Sequence, residues 1–142
     1  MTGKGSLNHN SRKFHAKNTD PNRTHWNVEY CNEDIKDVYH ELFDDALKRY
    51  NDKQTRKDRK IDDYYEKIRS GKQEKLFHEV ILQIGDKDNM GSETMEGQLA
   101  AKILDEYMKG FQERNPTLRV FAAHLHLDEA TPHLHLSLIH IS

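Results

Sequence analysis

Residues 124–135, which read HLHLDEATPHLH, decide the fold of this 142-residue chain. In a β-strand, successive side chains point to opposite faces, so His124 and His126 share one face while the leucines beside them share the other. His133 and His135 repeat this alternation after a short polar turn. The spacing therefore predicts an antiparallel hairpin in which three or four imidazoles converge across the ladder.

Such a cluster favours a divalent metal site, because imidazole is the commonest metal ligand in proteins. Asp128 and Glu129 stand between the two histidine pairs and add carboxylates to the same region. The alternative is purely structural. Polar and apolar residues alternate in any strand with one solvated face, and a buried histidine is often hydrogen-bonded within the core.

The overall composition excludes some classes of protein. Hydrophobic residues make up 35% of the chain and charged residues 32%, with a net charge of -2. That charge argues against indiscriminate coating of nucleic acid, although residues 53–75 are rich in Lys and Arg. These basic residues fit either phosphate contacts or a solvated helix with internal ion pairs.

The sequence also indicates where the protein works. No apolar run approaches the roughly 18 residues of a membrane span. Residues 1–6 lack the apolar core of a secretory signal, and the single Cys31 has no partner for an internal disulfide. We therefore expect a cytoplasmic protein without membrane insertion.

The hydrophobic pattern predicts an α+β domain with a mainly antiparallel sheet, helices packed on it, and the histidine-rich hairpin on its central strands. Asp34 is a candidate cap for the first long helix, and Asn115-Pro116 ends the last. The pattern predicts strands at 26–30, 77–84 and 118–127, and helices at 34–50, 55–69 and 93–114.

Two blocks of the sequence resemble the Mob/Pre family of plasmid mobilisation relaxases, members of the His-hydrophobe-His endonuclease superfamily. The segment from His126 to His135 is similar to the metal motif of that family. Residues 9–12 (HNSR) and 20–27 (DPNRTHWN) are similar to its N-terminal signature. The resemblance covers nearly the whole chain and implies a relaxase-like fold.

The resemblance implies an enzyme that nicks one strand of plasmid DNA at an origin of transfer and stays attached to the 5′ phosphate. It implies His9 as the nucleophile, and His126, His133 and His135 as metal ligands. The metal is expected to be Mn²⁺, with Mg²⁺ or Zn²⁺ as alternatives, since imidazoles accept several divalent ions.

Other residues receive supporting roles. Glu129 is the first candidate to orient His9 or accept its proton, and Asp128 is the second. Tyr30 and Tyr39 are alternative nucleophiles. His124 lies outside the motif and is interpreted as a residue behind the metal ligands or facing DNA. The residues expected to contact DNA, with Arg12 also placed to clamp the phosphate, are Arg12, Lys13, Arg23, His25, Asn27 and His124.

Residues 1–135 are expected to form the nicking domain, truncated at its C-terminus. Residues 136–142 (LSLIHIS) match one reading frame of a transposase-derived sequencing adaptor, so we interpret them as a non-native tail. The family continues into a region that binds DNA and dimerises, so a homodimer contact is expected in that missing region. The alternative functions are a metal-dependent hydrolase of another substrate and a non-catalytic fragment that binds DNA.

Overall fold

The structure is a computed structural model that describes residues 2–3, 7–12, 19–85 and 93–141. The chain divides into two compact units. We call the first the sheet unit (Met1–Asn32 with Phe77–Ser142) and the second the helical unit (Glu33–Leu76). Within the described part of the chain, no helix is both long and apolar enough to cross a membrane.

The sheet unit contains a five-stranded sheet with the order β1-β3-β5-β4-β2, and every neighbouring pair is antiparallel. The two strands of the predicted hairpin, β4 and β5, lie side by side, and β5 is the middle strand. The prediction of a histidine-rich hairpin on central strands is therefore confirmed. The strands are β1 (Thr2–Gly3), β2 (Val28–Asn32), β3 (His78–Gln83), β4 (Leu118–His126) and β5 (His133–His140).

The register between β4 and β5 sorts the side chains onto two faces. Leu125 lies opposite Leu134, and Ala123 lies opposite Leu136; all four are buried. They belong to one apolar cluster with Leu104 and other helix residues. Burying such side chains stabilises the fold by roughly 1.5–3 kcal/mol for each large one. The histidines consequently occupy the other face of the same strands.

The helices of the sheet unit are α1 (Leu7–Asn10), α4 (Met95–Lys109) and α5 (Phe111–Arg114), and a 3₁₀ helix covers Pro21–Trp26. α4 and α5 pack on the central strands, as expected. The single helix predicted at 93–114 is wrong near its C-terminal end, where Gly110 separates α4 from the short α5. A Cβ at Gly110 would lie 2.2 Å from Nη1 of Arg114, so a larger residue there would have to displace the flexible end of that side chain.

The helical unit contains α2 (Ile35–Asp52) and α3 (Tyr64–Ser70), with a short 3₁₀ helix at Lys57–Arg59. Asp34 caps α2 as predicted, by accepting hydrogen bonds from two backbone N–H groups. α3 begins later than the predicted residue 55.

Two side chains explain this late start of α3. Asn51 bonds both the N–H and the C=O of Ile61, which keeps that backbone out of a helix. Asp63 then accepts a hydrogen bond from the Glu66 N–H and caps the helix.

A hydrogen bond joins the edge strand β2 to the helix α4. The Tyr30 hydroxyl donates to Asp105, and Lys109 lies 2.9 Å from the other oxygen of that carboxylate. Burial, reinforced by Asp105, raises the pKa of Tyr30 above its ordinary value. The hydrogen bond from Tyr30, followed by that from Lys109, lowers the pKa of Asp105.

We expect Tyr30→Phe to lower the free energy of unfolding by about 1 kcal/mol at neutral pH, because it removes this hydrogen bond. A carboxylate with a lowered pKa contributes stability above its unfolded pKa of roughly 3.9, and loses it as the pH falls further. The difference between the two proteins should therefore shrink below about pH 4. Urea unfolding of both proteins over a pH series measures this difference in unfolding free energy.

Tyr107→Phe is the matched control. Tyr107 lies in α4, the helix that contains Asp105, and its half-exposed hydroxyl makes no hydrogen bond among the described residues. Equal stability of the Tyr30→Phe and Tyr107→Phe proteins at neutral pH would contradict the prediction. A difference in unfolding free energy between the parent protein and Tyr30→Phe that grows as the pH falls would also contradict it.

Candidate functional site

Four histidines gather on one face of the central strands. His124 lies opposite His135, and His126 lies opposite His133, in the β4–β5 ladder. The ring centres of His126 and His135 are 4.4 Å apart, and those of His133 and His135 are 6.1 Å apart. The predicted convergence of imidazoles therefore follows from the strand register.

The turn between β4 and β5 brings a carboxylate to these rings. His126, Glu129 and His135 are all buried, and each offers one ligand atom within 4.8 Å of the other two. Two imidazole nitrogens and a carboxylate oxygen are a donor set that divalent transition metals accept. We call these three residues the ligand cluster.

Hydrogen bonds determine which ring nitrogen each of the two histidines in the ligand cluster presents. His126 Nε2 donates to the backbone carbonyl of Asn10 at 2.7 Å, which leaves the lone pair on Nδ1. His135 Nδ1 donates to Glu79 Oε1 at 2.8 Å, which leaves the lone pair on Nε2. His135 Nε2 is buried and has no hydrogen-bond partner among the described residues. A metal ion is the partner that such an arrangement fits.

His133 lies beside the ligand cluster and is half-buried. Its Nδ1 is 2.6 Å from the carbonyl oxygen of Thr131 and 3.4 Å from Glu129 Oε2. Its Nε2 is 3.0 Å from Gln83 Oε1. In this structure the ring is thus held between a backbone carbonyl and a side-chain amide, at the edge of the cluster.

Burial favours the neutral form of three imidazoles on this face, those of His124, His126 and His133. It lowers the pKa of His126 to about 3, and it also lowers the pKa of His124 and of His133. A neutral imidazole is the form that binds metals. The electrostatics of this face therefore suit ligation at neutral pH.

Arg12 joins the N-terminal part of the chain to the β4–β5 turn. Its Nε and Nη2 atoms donate to the two oxygens of Asp128 at 2.9 and 2.7 Å, and Nη2 also donates to Glu129 Oε1 at 2.9 Å. The backbone of Arg12 has a φ of 58°, a conformation that non-glycine residues rarely adopt. The paired carboxylates stabilise this strained position.

These contacts shift the pKa values of both partners. Burial alone would raise the pKa of Asp128, but the hydrogen bonds from Arg12 and Thr24 and the Arg12 charge lower it well below its usual range. Burial would likewise lower the pKa of Arg12, and the two carboxylates raise it instead. Arg12 and Asp128 consequently both stay ionised over the physiological range.

The loop around the 3₁₀ helix Pro21–Trp26 also contacts the turn. The Thr24 hydroxyl donates to Asp128 at 2.9 Å, and Asn27 Oδ1 accepts from the Leu127 N–H at 2.7 Å. Arg23 lies between Asp20 and Glu93 at 3.2 and 3.3 Å. The N-terminal signature and the histidine hairpin are thus neighbours in space.

The remaining predicted site residues are placed as follows. His25 is exposed, with its ring edge-on to Trp26. His124 is buried and bonds Glu29 at 3.0 Å. The backbone of His9 lies in α1, while its side chain and the whole of Lys13 lie outside what the structure describes.

The two alternative tyrosine nucleophiles are engaged elsewhere. Tyr30 donates to Asp105, and Tyr39 donates to the backbone carbonyl of Leu76. Burial raises the pKa of Tyr39 to about 12 and raises that of Tyr30 further from neutrality. Both phenols therefore stay protonated at neutral pH.

Three contributors to this site escaped prediction from sequence: Asn10 as a backbone acceptor, Thr24 and Glu79. Glu79 carried a usable signal, because it stands in a strand that the sequence predicts to be buried, where an isolated charge is costly. Thr24 and the Asn10 carbonyl carried none, since their partners lie more than 100 residues away.

The fold and the site define an α+β domain with a histidine–carboxylate cluster that could hold a metal ion, on the central strands of an antiparallel sheet and the turn between them. The family model described as plasmid recombination enzyme (Mob_Pre) matches residues 4–142. The chain belongs to this family, which confirms the resemblance seen in its two sequence blocks. No curated protein sequence matches the chain.

A solved structure supports this assignment. A MobM relaxase domain (MOBV; Mob_Pre), bound to 22 nucleotides of plasmid pMV158 oriT DNA and crystallised with Mn at pH 5.5, is 26% identical to the chain with a TM-score of 0.52. A second structure of that complex, at pH 4.6, is 25% identical with a TM-score of 0.49. In both cases the match covers 94% of this chain and 61% of the relaxase domain.

We expect Arg12→Gln to lower the free energy of unfolding by about 3 kcal/mol, because it leaves two buried carboxylates without their counter-charge. Arg12 and Asp128 form a buried pair joined by two hydrogen bonds, whereas Arg56 and Asp58 form a similar pair in an exposed position. Arg56→Gln should leave stability almost unchanged. Urea unfolding at neutral pH measures both, and similar losses in the two variants would refute the importance of burial.

Proposed function

We propose that this chain is the DNA-nicking part of a plasmid mobilisation relaxase. The observation that carries the proposal is the ligand cluster on β4 and β5, which Arg12 connects to the segment following α1. Membership of the plasmid recombination family supports it. The similar MobM domain was solved with transfer-origin DNA and Mn, which supports plasmid DNA as the substrate class.

We propose Mn²⁺ as the metal, with Mg²⁺ or Zn²⁺ as alternatives, and His126, His133 and His135 as the residues that hold it. The buried, unsatisfied Nε2 of His135 supports this assignment. Glu129 is close enough to take part as well. When bound, the ion would polarise the scissile phosphate and offset charge on its oxygens.

His9 is the proposed nucleophile. A neutral imidazole nitrogen would attack phosphorus, so that a P–N bond forms as the P–O3′ bond breaks, and the 5′ phosphate stays on the protein. The imidazole N–H proton would pass to Glu129, and the departing 3′ oxygen would take up a proton. An ordinary imidazole, with a pKa of roughly 6.5, is largely neutral at cytoplasmic pH.

Arg12 and Asp128 would set the position of Glu129. The Arg12 guanidinium bonds both carboxylates, so it fixes the Glu129 side chain before DNA arrives. Arg12 would also balance charge close to the phosphate. The further contacts that we propose with DNA are Lys13, Arg23, His25, Asn27 and His124.

The domain limits of 1–135, the adaptor origin of 136–142 and the homodimer stay predictions. Residues 136–140 form the second half of β5 in the structure, with Leu136 and Leu138 buried. A plasmid substrate implies a cytoplasmic protein.

The test is a covalent-capture assay. We expect the protein, with Mn²⁺ and single-stranded oligonucleotides that tile the DNA upstream of its gene, to form an acid-labile adduct that runs as a shifted band after denaturation. His9→Ala should abolish the adduct, because the attacking nitrogen is lost, and chelation with EDTA should prevent its formation. Mass spectrometry of the adduct identifies the modified residue.

His40→Ala is the matched control, since His40 is an exposed histidine that bonds only Asp44 among the described residues. It should form the adduct normally. Cleavage without any adduct would favour a hydrolase, and binding without cleavage would favour a non-catalytic DNA-binding fragment. An adduct that persists in His9→Ala would exclude His9 as the nucleophile.

A further inference from the structure

Glu79 is a buried carboxylate in the middle of the sheet. It lies on β3, is 5% exposed, and faces the same side of the sheet as the histidines. Its Oε1 accepts two hydrogen bonds, from His135 Nδ1 at 2.8 Å and from Asn10 Nδ2 at 3.3 Å. An isolated buried carboxylate is costly, so this residue is held there by what it bonds.

The first bond determines the tautomer of His135. A carboxylate can only accept, so the proton of the neutral ring must sit on Nδ1. The Nε2 atom is then the one with a lone pair, and it is buried without a hydrogen-bond partner among the described residues. Histidine in water prefers the opposite tautomer, with its proton on Nε2. Glu79 therefore imposes a form that the free side chain would seldom adopt.

The second bond reaches another imidazole through Asn10. The Asn10 side chain bonds Glu79, while its backbone carbonyl accepts from His126 Nε2 at 2.7 Å. Asn10 is buried and is the last residue of α1, directly after His9. The same carboxylate thus supports the orientation of two members of the ligand cluster.

We propose that Glu79 is a positioning residue for the metal site: it fixes Nε2 of His135 and, through Asn10, Nδ1 of His126 as the ligand atoms. By the same bonds it holds the end of α1 against the cluster. The metal-positioning role of Glu79 rests on the proposed metal-dependent function. The tautomers themselves are a property of the metal-free protein.

Glu29 provides an internal comparison. It lies on β2 and bonds His124 Nε2 at 3.0 Å, so it is also a strand glutamate paired with a histidine on this face. His124 is outside the ligand cluster. Removal of Glu29 should therefore leave the tautomer of His135 and the metal affinity unchanged.

The test compares Glu79→Ala and Glu79→Gln with Glu29→Ala. Long-range ¹H–¹⁵N correlation spectra of the metal-free proteins report the tautomer of each imidazole. We expect His135 to carry its proton on Nδ1 in the parent and in Glu79→Gln, whose amide oxygen still accepts. In Glu79→Ala the proton should move largely to Nε2. Titration calorimetry with Mn²⁺ should then show an affinity about 10–100-fold weaker for Glu79→Ala.

Circular dichroism checks that each variant folds. A folded Glu79→Ala protein that keeps the Nδ1 proton on His135 and binds Mn²⁺ like the parent would overturn the proposal. If Glu79→Ala does not fold, the parent protein decides, because a proton on Nε2 of His135 in the parent would also overturn the proposal. These readouts need no DNA, so a failed nicking assay would leave them intact.

Discussion

The pairing register of β4 with β5 is the constraint on which the rest of the site depends. Because side chains alternate with a period of two, a slip of one residue would send the histidines into the apolar cluster and the leucines to the opposite face. The buried pair of Leu125 and Leu134 resists that slip. Hydrophobic burial on one face thereby fixes the geometry of the imidazoles on the other face of the same strands.

A second constraint is charge compensation at the end of this hairpin. Asp128 and Glu129 are adjacent in sequence and both buried, so their mutual repulsion must be offset. Arg12 supplies the compensating charge from a position far away in sequence. This requirement explains why a residue with a positive φ is kept at the N-terminal segment. It also explains why the two motif blocks, at opposite ends of the chain, meet in the fold.

The sequence predicted the features that depend on local pattern. The strands β3, β4 and β5, the helix capped by Asp34 and the convergence of histidines all follow from periodicity and capping chemistry. The two-residue β1 was not predicted, and the strand predicted at 26–30 begins only at Val28, because residues 21–26 form a 3₁₀ helix. The late start of α3 did not, because Asn51 reaches across to bond the Ile61 backbone and override helix propensity. The partners of Glu79 could not be predicted either, since they are 56 and 69 residues distant. Periodicity assigns a residue to a face, but it does not say which side chains meet there.

His126 and His135 share one more property that no strand pattern encodes. Each has a ring nitrogen held by an acceptor far away in sequence: the Asn10 carbonyl for His126 and Glu79 for His135. An imidazole held in this way presents its other nitrogen in a fixed direction. The folded chain thus aligns lone pairs in advance, so that little conformational entropy remains to be lost when a ligand binds. For a site built on central strands, preorganisation of this kind comes from tertiary contacts that the register alone cannot provide.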